Sequence, residues 1–485
     1  MAKSIKRNYI YNTTYNILLV LTPLITAPYT SRIFHADGVG IISFVASVAE
    51  YFILFSNMGS GGYGQREISY VRDDIEKRSI VFWEVLIFRV INTAIALAVY
   101  VIIALFFVKS HRAVFLIYAI TIANIACDVT WFLAGLEEFG KIVFRNIIIK
   151  IIDITFLFTF IRKQSDIPLY VGAHVFFIMM GNVALWGHLK GYIVKPNIKS
   201  LHPYRNIKTI ISLFMPSIAT QVYTVLDKIM LGIFTEGTFE NGYYEQSIKL
   251  SKMTLALVTS LAGVMIPRIA YLFGQNDREQ ISFYMYRSYS FVWLISVPLC
   301  LGLIGISDNF VPWFFGPGYE KVAGLLKISS FLIIIIGFDS ATGVQYLIPT
   351  KRQHLFTYSV AIGAAINFPL NLIFIRMYQS YGAMFASVIA EIAVTSVQFY
   401  IVRKEISSYR VIISGINYYI SGGIMLAVLI FLNSKLTPSP VHTAIMIFTG
   451  AAVYVSSLFI LRDKFFLEYS AKPFEFLRRK FARRK

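Results

Sequence analysis

Apolar residues run along this chain in stretches of about 20, each ended by a charged or Pro/Gly-rich break. About fourteen such stretches follow one another, from Asn12–Thr30 to His442–Leu461. A helix rising ~1.5 Å per residue needs that length to cross a hydrocarbon core ~30 Å thick. The runs are too long and too evenly apolar for the alternating, roughly ten-residue strands of an outer-membrane barrel. The pattern therefore predicts an all-α integral membrane protein with about 14 transmembrane helices. The first run follows Lys3, Lys6 and Arg7 in the manner of a signal peptide. Asn12, Thr13, Thr14, Asn16, Pro23 and Pro28 break up its apolar core, and no clear small-x-small cleavage site follows, so it reads as a retained span.

Composition sharpens this picture. The chain is 56% hydrophobic and only 15% charged, against about 25% charged in a soluble domain. Disorder, collagen and coiled coil are excluded. Cys127 and Cys300 lie in separate apolar runs, which points to neither a disulfide framework nor a thiolate metal cluster. The net charge is +19, and its distribution carries topological information. The N-terminus, the even-numbered loops and the C-terminus hold about 31 Lys and Arg, the odd loops about 11, which predicts that both termini are cytoplasmic. Lys190, Lys195, Lys199, Arg205 and Lys208 form the clearest basic loop, between spans six and seven. That loop is the natural lobe boundary, giving an N-terminal lobe 1–208, a C-terminal lobe 209–405, and 406–485 with spans thirteen and fourteen and a basic tail. The tail from Phe474 mixes aromatics with a basic cluster and suits a helix lying on anionic membrane lipids. Its juxtamembrane position accounts for the charge without nucleic acid as a partner. No loop is long enough for a soluble catalytic domain, so function resides in the bundle.

Ionisable residues within spans cost about 2.5–3.5 kcal/mol each on insertion scales and mark pathway candidates. They include Arg32, Glu50, Glu84, Arg89, Asp128, Lys150, Asp153, Asp227, Lys228, Lys252, Asp339, Arg376 and Glu391. Such a spread predicts a hydrated interior lined by many helices. Structural readings compete at several positions. Lys150 and Asp153 lie one helical turn apart and suit an internal pair. Glu84 and Arg89 suit the cytoplasmic interface, with Arg89 snorkelling, an alternative shared by Arg32, Lys252 and Arg376 near the outer ends of their spans. Asp227 and Lys228 point about 100° apart, so at least one faces the interior. His174 and His188 lack metal-ligand spacing and read as satisfied histidines. The phosphate loop, the His-Glu-x-x-His motif and the Gly-x-Ser-x-Gly elbow are all absent. The cluster Gly59–Gly64 reads as a helix end or hinge.

Several stretches resemble the repeat-unit (Wzx-type) flippases of the multidrug/oligosaccharidyl-lipid/polysaccharide exporter superfamily. The most specific is Trp131-Phe-Leu-Ala-Gly-Leu-Glu-Glu-Phe-Gly-Lys141 with Arg145, Asn146 and Lys150. Pro28-Tyr29 with Arg32, Gly64–Ser69, Leu226-Asp227-Lys228, Gln345–Pro349 and Asn367 with Asn371 agree in order along nearly the whole chain. The resemblance implies two six-helix lobes around a central cavity, with spans thirteen and fourteen added. Gly38-Val-Gly after span one and Gly242-Tyr-Tyr after span seven occupy corresponding positions, a faint internal repeat.

The implied function is to move an undecaprenyl-diphosphate-linked glycan across the membrane of a bacterium by alternating access. The product would feed capsule, exopolysaccharide, O-antigen or teichoic-acid synthesis, with polymerase and glycosyltransferases of the same pathway as partners. A diphosphate calls for cations, and Arg32, Lys150, Lys228, Lys252 and Arg376 are the candidate set. Tyr29, Asn146 and Gln345 are candidate sugar contacts. Glu50 and Asp227 are candidates to position those cations or to bind a coupling ion, sodium or proton; no other cofactor and no metal is expected. A cation-coupled drug exporter of the same superfamily is the nearest alternative, although Asn12 to Ser31 lacks the acid expected deep in its first span. An integral membrane glycan polymerase or transferase is the alternative from another class.

Overall fold

The computed structural model describes residues 5–196, 199, 201–468 and 470. The basic tail from Phe474, expected to lie on the membrane surface, is outside the described residues. Among the described residues there is no strand, only an isolated bridge between Lys190 and Ile193. The chain is all-α and packs as two compact units, Met1–Gly242 and Tyr243–Lys485.

The first unit contains α1 (Ile5–Asn57), α2 (Ser60–Tyr70), α3 (Ile75–Phe106), α4 (Arg112–Cys127), α5 (Thr130–Gly135), α6 (Phe139–Phe160), α7 (Ile167–Trp186) and α8 (Ile207–Phe234). The second contains most of α9 (Phe239–Thr259), then α10 (Ala262–Gly274), α11 (Arg278–Phe315), α12 (Glu320–Ser329) and α13 (Phe331–Asp339). A π-helical stretch, Ser340–Leu347, leads on to α14 (Gln353–Val402), α15 (Ser408–Ile413), α16 (Ile416–Lys435) and α17 (Pro440–Ile460). By length and composition, nine helical segments among the described residues can cross a membrane, or ten with the bent pair α9 and α10. This differs from the fourteen expected in part because the two longest segments, at 50 residues each, run through an interruption, and because α6 carries the charged residues Lys141, Arg145, Lys150 and Asp153.

Those interruptions are sharp. A 53-residue helix would extend about 80 Å, and α1 breaks at His35, with φ 54° and ψ 179°. Likewise α14 breaks at Gln379, with φ 54° and ψ −128°. Neither residue is glycine, so each break stores backbone strain that packing must offset. Glycines provide the close approach beside each. A Cβ on Gly382 would overlap the Phe374 carbonyl, across the turn made at Gln379. Gly40 approaches the Thr238 carbonyl and Gly242 the Ala36 carbonyl just as closely, and the Thr238 hydroxyl donates to Asp37 Oδ1 at 2.5 Å. The two turns that echo one another in the sequence are therefore packed backbone to backbone.

In the first unit, one apolar cluster joins both halves of α1 to α3, α4 and α7 through Phe34, Val45, Tyr100, Phe115, Ile122 and Val171. A second centres on Phe82, Trp131 and Phe132. Here the short helices α2 and α5 cross through glycines: Gly64 lies under the Trp131 ring, and a Cβ on Gly135 would come 2.8 Å from the Gln65 carbonyl. The glycine cluster is thus a packing surface at Gly64 and a turn at Gly59, whose φ is 75°. Asp74 starts α3 by accepting from the Glu76 and Lys77 amides, and those amide bonds hold its carboxyl below the usual range. In the second unit, α16 and α17 pack on α11; a Cβ on Gly305 would come 2.7 Å from Leu429 Cβ. By packing, α8 groups with α1 and α2. The compact units therefore divide the chain differently from lobe boundaries drawn at 208 and 405.

Arg89 corrects the snorkelling expectation. It is 2% exposed, and its Nη2 lies 3.2 Å from Asp128 Oδ2 while Nη1 donates to the Asp128 carbonyl at 3.1 Å. The other Asp128 oxygen accepts from the Thr130 amide at 2.9 Å, and Trp186 Nε1 donates to the Cys127 carbonyl at 2.7 Å. The break between α4 and α5 is thereby satisfied by side chains from α3 and α7.

Two outcomes are expected from thermal unfolding in detergent. Gly382→Ala should cost about 1–3 kcal/mol through overpacking, whereas Gly263→Ala, with open space around it, should be nearly neutral. Asp128→Ala should cost about 3–5 kcal/mol by leaving a buried guanidinium without its carboxylate. The double variant Arg89→Met/Asp128→Asn should recover much of that loss, because the amide oxygen still accepts from Thr130; an equal loss in both would show that the ion pair is not what matters.

Candidate functional site

The candidate residues divide between the units. Tyr29, Arg32, Glu50, Asn146, Lys150, Asp227 and Lys228 belong to the first, and Lys252, Gln345 and Arg376 to the second.

Lys150 lies near the middle of the 22-residue α6, a helix about 33 Å long, rather than at either end. Its Nζ is 3.6 Å from Asp153 Oδ2. Asp153 has a second partner, His174 Nδ1 on α7, at 3.1 Å. One carboxylate thus joins a lysine on its own helix to an imidazole on the next. Asn146 is half-buried one turn before Lys150, on the same face.

Along α1 and α8 a second polar strip forms. Gln221 Nε2 donates to Glu50 Oε2 at 3.4 Å. Tyr51, the neighbour of Glu50 on α1, is half-buried. Asp227 is 4% exposed and Lys228, its neighbour, is half-buried, as expected of adjacent residues that point apart. Arg32, Lys252 and Arg376 are exposed, and none of these charged residues is an isolated charge.

Tyr29 and Gln345, two of the candidate sugar contacts, lie in different surroundings. The Tyr29 hydroxyl donates to the Ile161 carbonyl at 2.6 Å and accepts from Arg162 Nη1 at 3.3 Å. Its one hydrogen is committed to closing α1 onto the end of α6. Gln345 is fully buried, on the π-helical stretch. Nearby, Gln398 Nε2 donates to Asp339 Oδ1 at 2.5 Å and to Ser359 Oγ at 3.0 Å. The roles of His174 and Gln398 escaped sequence reading because their partners lie 21 and 59 residues away. Asn367 and Asn371 carried a local signal, being one turn apart, and they bond to each other at 2.8 Å.

The chain's relatives agree with this architecture. The family model described as polysaccharide biosynthesis protein matches residues 5–273. A protein of Escherichia coli (strain K12) named "Putative O-antigen transporter" is 22% identical over 408 residues, which is 83% of this chain and 97% of that protein. Among solved structures, Lipid II flippase MurJ in an inward closed conformation matches with a TM-score of 0.72 at 16% identity, over 94% of this chain and 99% of that one. An inward-facing multidrug resistance MATE family transporter matches with a TM-score of 0.61 at 13% identity, over 81% of this chain and 99% of that one. At such identities the structural matches establish the fold. The sequence match, covering more than half the chain in order, goes further: the chain belongs to the polysaccharide biosynthesis protein family.

Proposed function

We propose that this protein is a flippase for lipid-linked oligosaccharide repeat units, and that it carries them from the cytoplasmic to the outer leaflet of the cell membrane by alternating access. The observation that carries the reading is the polar group near the middle of α6. Lys150 and Asp153 pair on α6 while His174 on α7 meets the same carboxylate, and charges of this kind within a span are costly unless they serve a path. Lys150 and Asp153 lie on α6, which begins within the stretch from Trp131 to Lys141, and His174 lies on α7. Similarity to a putative O-antigen transporter along 97% of that protein supports the same cargo class.

The chemistry fits an undecaprenyl-diphosphate-linked glycan. Its head is too polar for hydrocarbon, and its phosphate oxygens are met by Arg and Lys through short, charge-assisted hydrogen bonds. Arg32, Lys150 and Lys228 supply such groups in the first unit, Lys252 and Arg376 in the second. Glu50 and Asp227 hold those cations or a coupling sodium ion or proton. Basic loops such as Lys190–Lys208 set both termini on the cytoplasmic side, against anionic lipids. Pathway polymerases and glycosyltransferases then act on either side of the transfer. The MATE-like fold keeps a drug exporter as the second reading, and the lack of an acid from Asn12 to Ser31 argues against it.

Lys228→Ala and Arg32→Ala should each abolish polysaccharide export while the protein remains folded and membrane-inserted; normal export by both would remove the cationic path. A sharper test addresses Lys150. Lys150→Met alone, and combined with Asp153→Asn, should both fail to export. Rescue by the double variant would instead make the pair structural.

A further inference from the structure

We propose that the cavity between α6 and α7, at the N-terminal end of α6, is a binding site for an anionic glycerophospholipid. The cavity measures about 760 Å³, within the range of small-molecule sites. It is amphipathic from end to end. Lys141, Arg145 and His188 line one part, and Phe144, Ile148 and Met180 another. Those three apolar side chains are 69%, 40% and 49% exposed, so this apolar face is open to the surroundings and suited to acyl chains.

The charges at the polar end are largely matched within the protein. Glu137 pairs with Arg72 at 3.0 Å. Glu138 accepts from the Tyr192 hydroxyl at 2.8 Å and lies 3.8 Å from Lys141 Nζ. Lys141 in turn stands 4.8 Å from the centre of the Tyr192 ring. Lys141 and Arg145 give this rim its cations. The phosphodiester of an anionic lipid is met by such groups through short, charge-assisted hydrogen bonds. The first turn of α6, at Gly140 and Lys141, adds the positive end of a helix dipole.

Arg145 is built into this position. A Cβ on Gly181 would come 2.9 Å from Arg145 Cδ and 2.8 Å from Ile149 Cγ1. The arginine stem therefore lies against bare α7 backbone, within apolar surroundings, while the residue lines the cavity. Both the arginine and the glycine that seats it contribute to the site, and neither is among the cations proposed to meet the cargo.

The test uses the full chain in nanodiscs of phosphatidylcholine with a minor fraction of phosphatidylglycerol. Native mass spectrometry reads the lipid that stays bound after release. The wild type is expected to retain phosphatidylglycerol in preference to phosphatidylcholine. Arg145→Gln should lower that retention about tenfold, which corresponds to ~1.4 kcal/mol. Met180→Trp, at an exposed position that narrows the cavity without disturbing the core, should do the same, and it decides the matter if Arg145→Gln fails to fold. Arg403→Gln, in the other unit, should retain lipid like the wild type. Equal retention of both lipids, or retention unaffected by Met180→Trp, overturns the proposal. So does displacement of phosphatidylglycerol by undecaprenyl diphosphate at lower concentration, which would make the cavity a cargo site. Both leaflets of a nanodisc carry the probe and no export is measured, so the outcome is independent of the proposed transport function.

Discussion

Any interruption of a helix inside hydrocarbon frees backbone groups that no water can reach, and this structure is arranged around meeting that demand with side chains. The join between α4 and α5 shows how. Asp128 accepts from the Thr130 amide, Trp186 donates to the Cys127 carbonyl, and Arg89 holds both the carboxylate and the carbonyl of Asp128. Side chains from α3 and α7 are thereby fixed to one short join. The aromatic cluster of Phe82, Trp131 and Phe132 surrounds the same join, so the stretch most diagnostic of the family is first of all a satisfied break.

The same economy governs the intramembrane charges. Asp153 serves Lys150 and His174 together, and Gln398 serves Asp339. Shared partners lower the cost of holding ions away from water. They join α6 to α7 and α13 to α14 through polar contacts. Family membership and similarity to glycan transporters fit this arrangement. In a flippase, polar residues must be dense enough to wet a path and paired well enough to remain folded when the path is empty.

Close backbone approach is the other recurring device. Gly40, Gly242 and Gly382 sit where a side chain would strike a carbonyl, each near a break whose strained residue is not itself glycine. Gly64, Gly135 and Gly305 perform the same service between helices. Without water to drive apolar helices together, van der Waals contact at short range has to supply much of their attraction.

Much of this was legible in the linear pattern. Run length announced helices in a membrane, because hydrocarbon thickness dictates how many apolar residues a crossing needs, and the Lys150–Asp153 pair followed from a one-turn spacing. The partners of Arg89, Asp153 and Asp339 were not legible, since each comes from another helix and no local periodicity encodes it. Tyr29 and Gln345 likewise owe their surroundings to other helices. Their residue types suit hydrogen bonding to a sugar, but packing commits one to the end of α6 and encloses the other. Local order along the chain is set by the solvent each segment must enter; which polar side chains meet is set by helix register and crossing, and those exist only once the bundle has formed.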